Sequence, residues 1–441
     1  MRIPVTARLF AWECLDDQPS LTTIRDLLAL FSDGQLLDAL RAWRGRGRND
    51  HPVHVLWGVV LLTVILRHPS TEATLAELRR NAGLRRLIGI EDESEVPDGY
   101  NVSRFVKVLG HPAHVALMRE MFDTMIRRLG AAVPDLGART AGDATGLSAR
   151  PEGTPEPDLP APSGGRKEYV DEAGKVVKVV EWVGYKLHLI VDVQHEVALA
   201  YAVTAANVGD NAVVPALVAE AQGNVPAGRM KSLAYDKAAD DEKVHVTLAQ
   251  ASIAPVVEIR SLWKGESERV LPGRTDVVYD EAGTVSCYDM RSDPPVRRKM
   301  AYIGREGSRA TLKYRCPARH GHWSCPSEAR CNEGKRYGKT VRVPQALDLR
   351  RFPPIPRATK QFERLYRGRT AVERVNARLK VFWGADDGNL VGAARFHALV
   401  GVVMLVHAGC ATALAMAPRR EGTLGRMRLG PIAEALRAKP E

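Results

Sequence analysis

The sequence predicts an α/β protein with an all-helical region in front of a mixed sheet and a β-rich insertion within it. Three observations carry this. Helix-period apolar spacing runs alone through the first ~130 residues. After Pro134 short β-branched runs alternate with helical segments. Between Ser261 and Leu349 the text turns to hairpins, with turn residues at Glu281–Gly283 and Glu306–Gly307 and four of the six cysteines.

Thr22–Phe31, Gly34–Trp43, His54–Leu66, Thr74–Asn81 and Ala113–Leu129 are expected helices, broken by Gly, Pro and Asp clusters. Arg79, Arg80, Arg85 and Arg86 form either a phosphate-contacting edge or an ordinary solvated helix end. Ala138–Leu147 reads as a strand carrying Asp143, and Pro151–Gly165 as a loop. Strands follow at Val176–Val180, Tyr185–Asp192 and Val197–Thr204, then a helix at Asn211–Ala221. Next come a strand at Met230–Tyr235 ending on Asp236, a helix at Asp240–Ala251 and a strand at Ala254–Ile259. Helical pattern resumes at Thr359–Phe382 and Ala393–Met416. The expected divisions are 1–134 (helical), 135–260 and 351–417 (two parts of one α/β unit), 261–350 (the insertion) and 418–441 (a basic tail).

A 441-residue chain with 45% hydrophobic and 26% charged residues is globular and long enough for two or three domains. A net charge of +11 suggests a polyanionic partner. The excess is uneven: Arg350 to Lys380 holds ten Lys or Arg against Glu363 and Glu373. Met1 to Asp16 lacks the apolar stretch of a secretory signal. The run Ala398–Met416 approaches bilayer-spanning length, but His407 interrupts it and Gly401 and Gly409 suit tight packing in protein. A buried helix and no membrane partner are therefore expected. The cysteine usage fits a reducing cytoplasm.

Within the basic stretch, Tyr366, Arg369, Glu373 and Lys380 stand at the spacing Y-(2)-R-(3)-E-(6)-K. On one regular helix at about 100° per residue they share a ~60° sector, away from Leu365, Val372, Val375, Leu379 and Phe382. One stripe then offers a carboxylate, two cations and a phenol, which suits a divalent ion beside a phosphodiester. The plain alternative is a solvated face with an i,i+4 pair, Arg369–Glu373. Asp143 and Asp236 can converge on neighbouring strands about 4.8 Å apart, and Glu373 on a helix over that sheet edge would complete a three-carboxylate cluster. Singly, Asp143 has a turn as its alternative and Asp236 an N-cap. Such a cluster suits two-ion phosphodiester chemistry.

These pieces resemble the DDE transposases of bacterial insertion sequences, in the group marked by a Y-R-E-K helix. The matching text is "AGDATGLSAR" around Asp143, "GYKLHLIVD" with "AVTAANVGDN", "LAYDKAADD" around Asp236 and "YRGRTAVERVNARLK" around Glu373, with "ELRRNAGLRRLIGI" and "VPDGYNVSRF" ahead of them. The resemblance implies an RNase H-like core in which Asp143, Asp236 and Glu373 hold catalytic Mg²⁺ or Mn²⁺. Tyr366, Arg369 and Lys380 would contact phosphates of the transposon end. It further implies cleavage and strand transfer on double-stranded DNA, at transposon ends and target, by a homodimer on DNA in the cytoplasm, associated with the nucleoid. The alternatives are a nuclease of the same fold that does not join, and a catalytically decayed DNA-binding derivative. The family commonly has Gly-Tyr-Asp soon after the second Asp; here Asp240 follows instead and rivals Asp236 as a ligand, and Asp236 is preferred because it directly ends the strand.

Cys287, Cys316, Cys325 and Cys331, with His320 and His322 among them, offer six candidate ligands for a structural Zn²⁺. The spacings lack the tight C-x₂-C knuckle, so free thiols in a β-rich insertion are the other reading. Trp263, Trp323 and Trp383 are either base-stacking or core residues.

Overall fold

The computed structural model describes residues 19–46, 50–150, 158–171, 175–321, 324–386, 390–416, 424, 425 and 427. His322, Trp323, Met1 to Asp16 and nearly all of the basic tail lie outside them.

Helices come first: α1 (Pro19–Leu28), α2 (Gly34–Arg44), α3 (Val53–Ile65), α4 (Thr71–Arg80), α5 (Ala82–Arg86), α6 (Gly99–Leu109) and α7 (Pro112–Ala132). Their starts follow capping chemistry. The Ser70 hydroxyl accepts the Ala73 N–H, and the Asp98 carboxylate accepts the Asn101 N–H at 2.8 Å. α3, apolar all round, is buried almost throughout. Arg80 pairs with Glu77, Arg85 donates to the Arg79 and Glu91 carbonyls, and Arg86 faces Glu91, so this edge is tied to its own neighbours.

The sheet comprises β1 (Arg139–Ser148), β2 (Ser163–Val170), β3 (Val176–Asp192), β4 (Ala198–Ala205), β5 (Ser232–Tyr235) and β6 (Ala254–Val257). Helices α8 (Asp210–Gly223) and α9 (Glu242–Gln250) flank β5 in the chain. β3 runs antiparallel to β1 and β4, while β5 runs parallel to β1 and β6, giving the order β4-β3-β1-β5-β6. An antiparallel meander continued by parallel strands in this order is the RNase H-like arrangement. The outer half of β3 pairs with β2. The expected breaks differ here: Val176–Val180 and Tyr185–Asp192 are one strand, and β2 begins inside the expected loop. Trp182 bridges that break, its indole lying where Cβ atoms on Gly146 and Gly165 would sit and its Nε1 donating to the Tyr185 carbonyl.

The insertion follows β6. β7 (Glu268–Val270), β8 (Val277–Asp280), β9 (Val285–Asp289) and β10 (Val296–Lys299) form one antiparallel sheet; β11 (Ala301–Glu306), β12 (Thr311–Arg315) and β13 (Thr340–Pro344) form another. Two short helices, α10 (Pro317–Gly321) and α11 (Glu328–Asn332), lie between β12 and β13. The insertion has its own small core around Val277, Val285, Leu312, Tyr314, Val343 and Phe352.

The chain returns through α12 (Lys360–Tyr366), a tight 3₁₀ turn, α13 (Thr370–Ala377) and a wider π turn over Arg378–Phe382. The expected uninterrupted helix is therefore corrected to four segments of different pitch. One close approach at the tight turn is Gly368, where a Cβ would lie 2.8 Å from Val193. The last described helix, α14 (Ala393–Ala415), is long and apolar enough for a membrane, yet 78% of its apolar window is buried against protein. It packs on α3, α6, α7 and β4, and the helical region and the sheet share one continuous apolar core. His407 inside it is fully buried, accepts the Ala198 N–H at 2.9 Å, and is held neutral by burial.

A close approach at Gly142 aligns the central strands. A Cβ there would fall 2.3 Å from the Tyr235 ring, which is fully buried beside it. Gly142→Ala is expected to lose about 1–3 kcal/mol, as overpacking does, read as a lower urea midpoint. It should also reduce activity, because Gly142 and Tyr235 each precede a candidate catalytic aspartate.

Candidate active site

β1 and β5 pair in parallel with Ala141 opposite Ala234, so the same register continued two residues sets Asp143 opposite Asp236. Asp143 lies within the strand rather than in a turn. Asp236 follows β5, and its Oδ1 accepts the Ala238 N–H at 2.9 Å, so the N-cap reading is correct for one oxygen. The second oxygen is left for other work. The Asp143 carboxyl is pushed up to about 6, first by burial, with Lys167 and Arg369 pulling down and Asp236 pushing up. Two carboxylates, a guanidinium and the Lys167 ammonium thus act on one another around β1 and the end of β5.

Glu373, on α13, is half exposed and accepts from Arg369 Nη2 at 2.7 Å. This is the i,i+4 pair of the plain alternative, and it occupies the carboxylate that the cluster needs. Among the described residues no three Asp, Glu, His or Cys side chains are posed to hold an ion. Asp143 and Asp236 are brought together; Glu373 is held back by Arg369, whose guanidinium also feels both aspartates.

Of the phosphate candidates, Tyr366 stacks on Phe362 and its hydroxyl bonds Glu258; burial, then Glu258, pushes the phenol up to about 12. Lys380 turns inward: Nζ donates to the Gly146 carbonyl at 2.6 Å and pairs with Asp386 at 2.8 Å. Asp386 also accepts the Ser148 N–H. Lys380 therefore ties the π turn to the end of β1.

The rival ligand Asp240 is committed elsewhere. Its buried carboxylate accepts from Arg350, from His245 at 3.1 Å and from the Arg260 N–H at 2.7 Å. Burial alone would push this carboxyl up; the bonds from His245 and Arg350 outweigh it and hold the group well below the usual range. Trp383 is a core residue, and Trp263 is flanked by Arg269 and Arg351.

Asn376 was not anticipated. It is buried, donates to Asp143 at 3.4 Å, and its Oδ1 has no hydrogen-bond partner. The signal was present, since Asn376 stands three residues after Glu373 on the same helix.

An RNase H-like sheet with one acid within its first strand and another just past the adjacent parallel strand defines a class of nucleic-acid phosphoryl-transfer proteins. The family model described as "Transposase DDE domain" matches residues 139–408, more than half of the chain, and one described as "Transposase domain (DUF772)" matches residues 13–108. The chain belongs to the DDE transposase family and carries its catalytic domain. No curated protein is significantly similar to it. As a transposase it acts on DNA, and enzymes of this family use divalent metal.

Proposed function

We propose that the chain is a transposase of the Y-R-E-K group that cleaves DNA at insertion-sequence ends and joins them to target, with Asp143, Asp236 and Glu373 holding the metal. The observation that carries the reading is the parallel β1–β5 register, with Asp143 and Asp236 abreast and the Arg369–Glu373 pair beside them. The donor set fits Mg²⁺ or Mn²⁺: the ligands are hard carboxylate oxygens, and Asp143 is a buried carboxyl that Asp236 pushes up further, so a bound cation would favour its ionised form. When bound, such ions supply charge stabilisation at the attacking and leaving oxygens.

The chain's own residues do the rest. Arg369 exchanges the Glu373 carboxylate for a DNA phosphate, which frees Glu373 to turn toward the aspartates and leaves a bidentate donor on the backbone. Asn376 holds Asp143 in orientation. Tyr366 lines the same edge, and Lys380 supports the end of β1. The helices of 1–134 contribute DNA contacts; 135–260 and 351–417 form the catalytic core around the insertion 261–350. Two ends held together imply a homodimer on DNA, working at the nucleoid.

The test supplies the purified chain with DNA flanking its own gene and Mg²⁺, scoring nicks and joined products separately. Glu373→Gln is expected to lower both by about 100-fold or more. Nicking without joining on pre-nicked ends identifies a nuclease instead. Undiminished activity in Glu373→Gln, or cutting without divalent metal, removes the proposal.

A further inference from the structure

We propose that Cys287, Cys316, Cys325 and Cys331 form a structural zinc site that pins the two small sheets of the insertion together. Cys287 lies on β9 of one sheet, and Cys316 directly follows β12 of the other. Cys325 lies between α10 and α11, and Cys331 is in α11. All four line a single cavity of about 20 Å³, the space of one small ion or water. Cys287 is within electrostatic reach of Cys316 and Cys325, and Cys325 of Cys316 and Cys331, so the set is connected. All four are free thiols.

Burial pushes the Cys287 thiol up to about 11 and the Cys325 thiol up as well, so thiolates form here only with a bound cation. Asn332 Nδ2 lies 3.8 Å from Cys316 Sγ, in donor position. Arg298 and Lys339 line the same cavity together with Asp276, Asp289 and Glu328, and Lys339 pairs with Asp276, so the ion itself must supply the charge that offsets four thiolates. His320 lines a different groove, with Thr359 and Lys360, and is not part of the set. As placed, the sulfurs surround the cavity without three of them closing on a common point. Binding requires them to turn inward to about 2.3 Å from the ion, releasing their four protons.

The physical need comes from the excursion between β12 and β13. Its helices have five residues each, too short to stand alone. The only apolar residues fully buried between Cys316 and Lys339 are Cys316 and Ala318, among the described residues. Hydrophobic burial cannot hold this segment, whereas a closed four-sulfur site joins it to both sheets. Soft sulfur ligands select zinc over the hard ions suited to the carboxylates.

The test measures metal in the full-length chain purified under reducing conditions, together with thiol reactivity. Expected are about one zinc per chain, protection of four thiols that is lost on chelation, and tetrahedral cobalt–thiolate absorption on exchange. Cys316→Ser and Cys331→Ser should each lose the metal; if a variant fails to fold, cobalt exchange and thiol counting on the unaltered chain still decide. Four reactive thiols without metal, no cobalt–thiolate bands, stoichiometric iron, or a disulfide in the reduced preparation each overturn the assignment. Cleavage and joining play no part in these readouts, so their failure leaves the zinc assignment standing, and the reverse.

Discussion

Asp143→Asn is expected to abolish strand cleavage and joining while making the metal-free protein more stable. Loss of a charge that organises the transition state lowers turnover by about a thousand-fold, and the amide cannot replace an anionic ligand. The stability effect has the opposite sign. The Asp143 carboxyl is raised from 3.8 to about 6 in the folded chain. Below the unfolded value both states are protonated and there is no penalty. Between the two values the folded state keeps a proton that the unfolded state has lost; above the folded value the full penalty of a buried, repelled anion is present. That penalty is at most about 3 kcal/mol at 1.36 kcal/mol per pKa unit. Thermal melts of the metal-free chains should show Asp143→Asn melting a few degrees higher at about pH 8, with the gap closing toward pH 4. Added Mg²⁺ should raise the melting temperature of the unaltered chain more than that of the variant. Equal melting at both pH values, or retained cleavage, contradicts the role given to this residue.

Asp240→Ala is expected to destabilise the fold by about 3–5 kcal/mol, the range for removing one partner of a buried ion pair. Asp240 is wholly buried, and its loss strands Arg350, itself only 14% exposed, and leaves His245 unpaired. Because the folded carboxyl lies below the ordinary range, its contribution is present above the unfolded value, near 4, and is lost as pH falls further. Denaturant unfolding at neutral pH reads the loss directly. Asp236→Ala should do the reverse, eliminating activity with only the modest loss of a short cap. A stable but inactive Asp240→Ala would restore Asp240 as the ligand and displace Asp236.

Strand existence was legible where β-branched residues ran together, as at β3 and β4; β5, Ser-Leu-Ala-Tyr, has none and was read from its short apolar run before Asp236. β2 was hidden because Ser163, Gly164 and Gly165 read as loop; the strand forms because its partner on β3 supplies the ladder and Trp182 the packing. α6 carries a full helical period in Val102, Phe105, Val106 and Leu109 behind the Asp98 cap, a signal as strong as those of the expected helices. The acidic pair was legible from one acid within a strand and one at a strand end, but the pairing of Glu373 with Arg369 is a contest between partners that spacing cannot settle. Lys380 facing inward follows from the π turn, which a constant angular step per residue does not contain. Asp236 was already favoured over Asp240 because it directly ends a strand; what occupies Asp240 instead is set by His245, the Arg260 N–H and Arg350, the last more than a hundred residues away in the chain.

The position of α14 has a consequence for the order of synthesis. This helix leaves the ribosome after all three candidate acids, yet α3, α6 and α7 wait for it with their apolar surfaces uncovered. The nascent chain therefore possesses every reactive side chain before it possesses a scaffold to hold them. The site waits for α14 to complete its support, and Leu424 and Met427 join the same core after it.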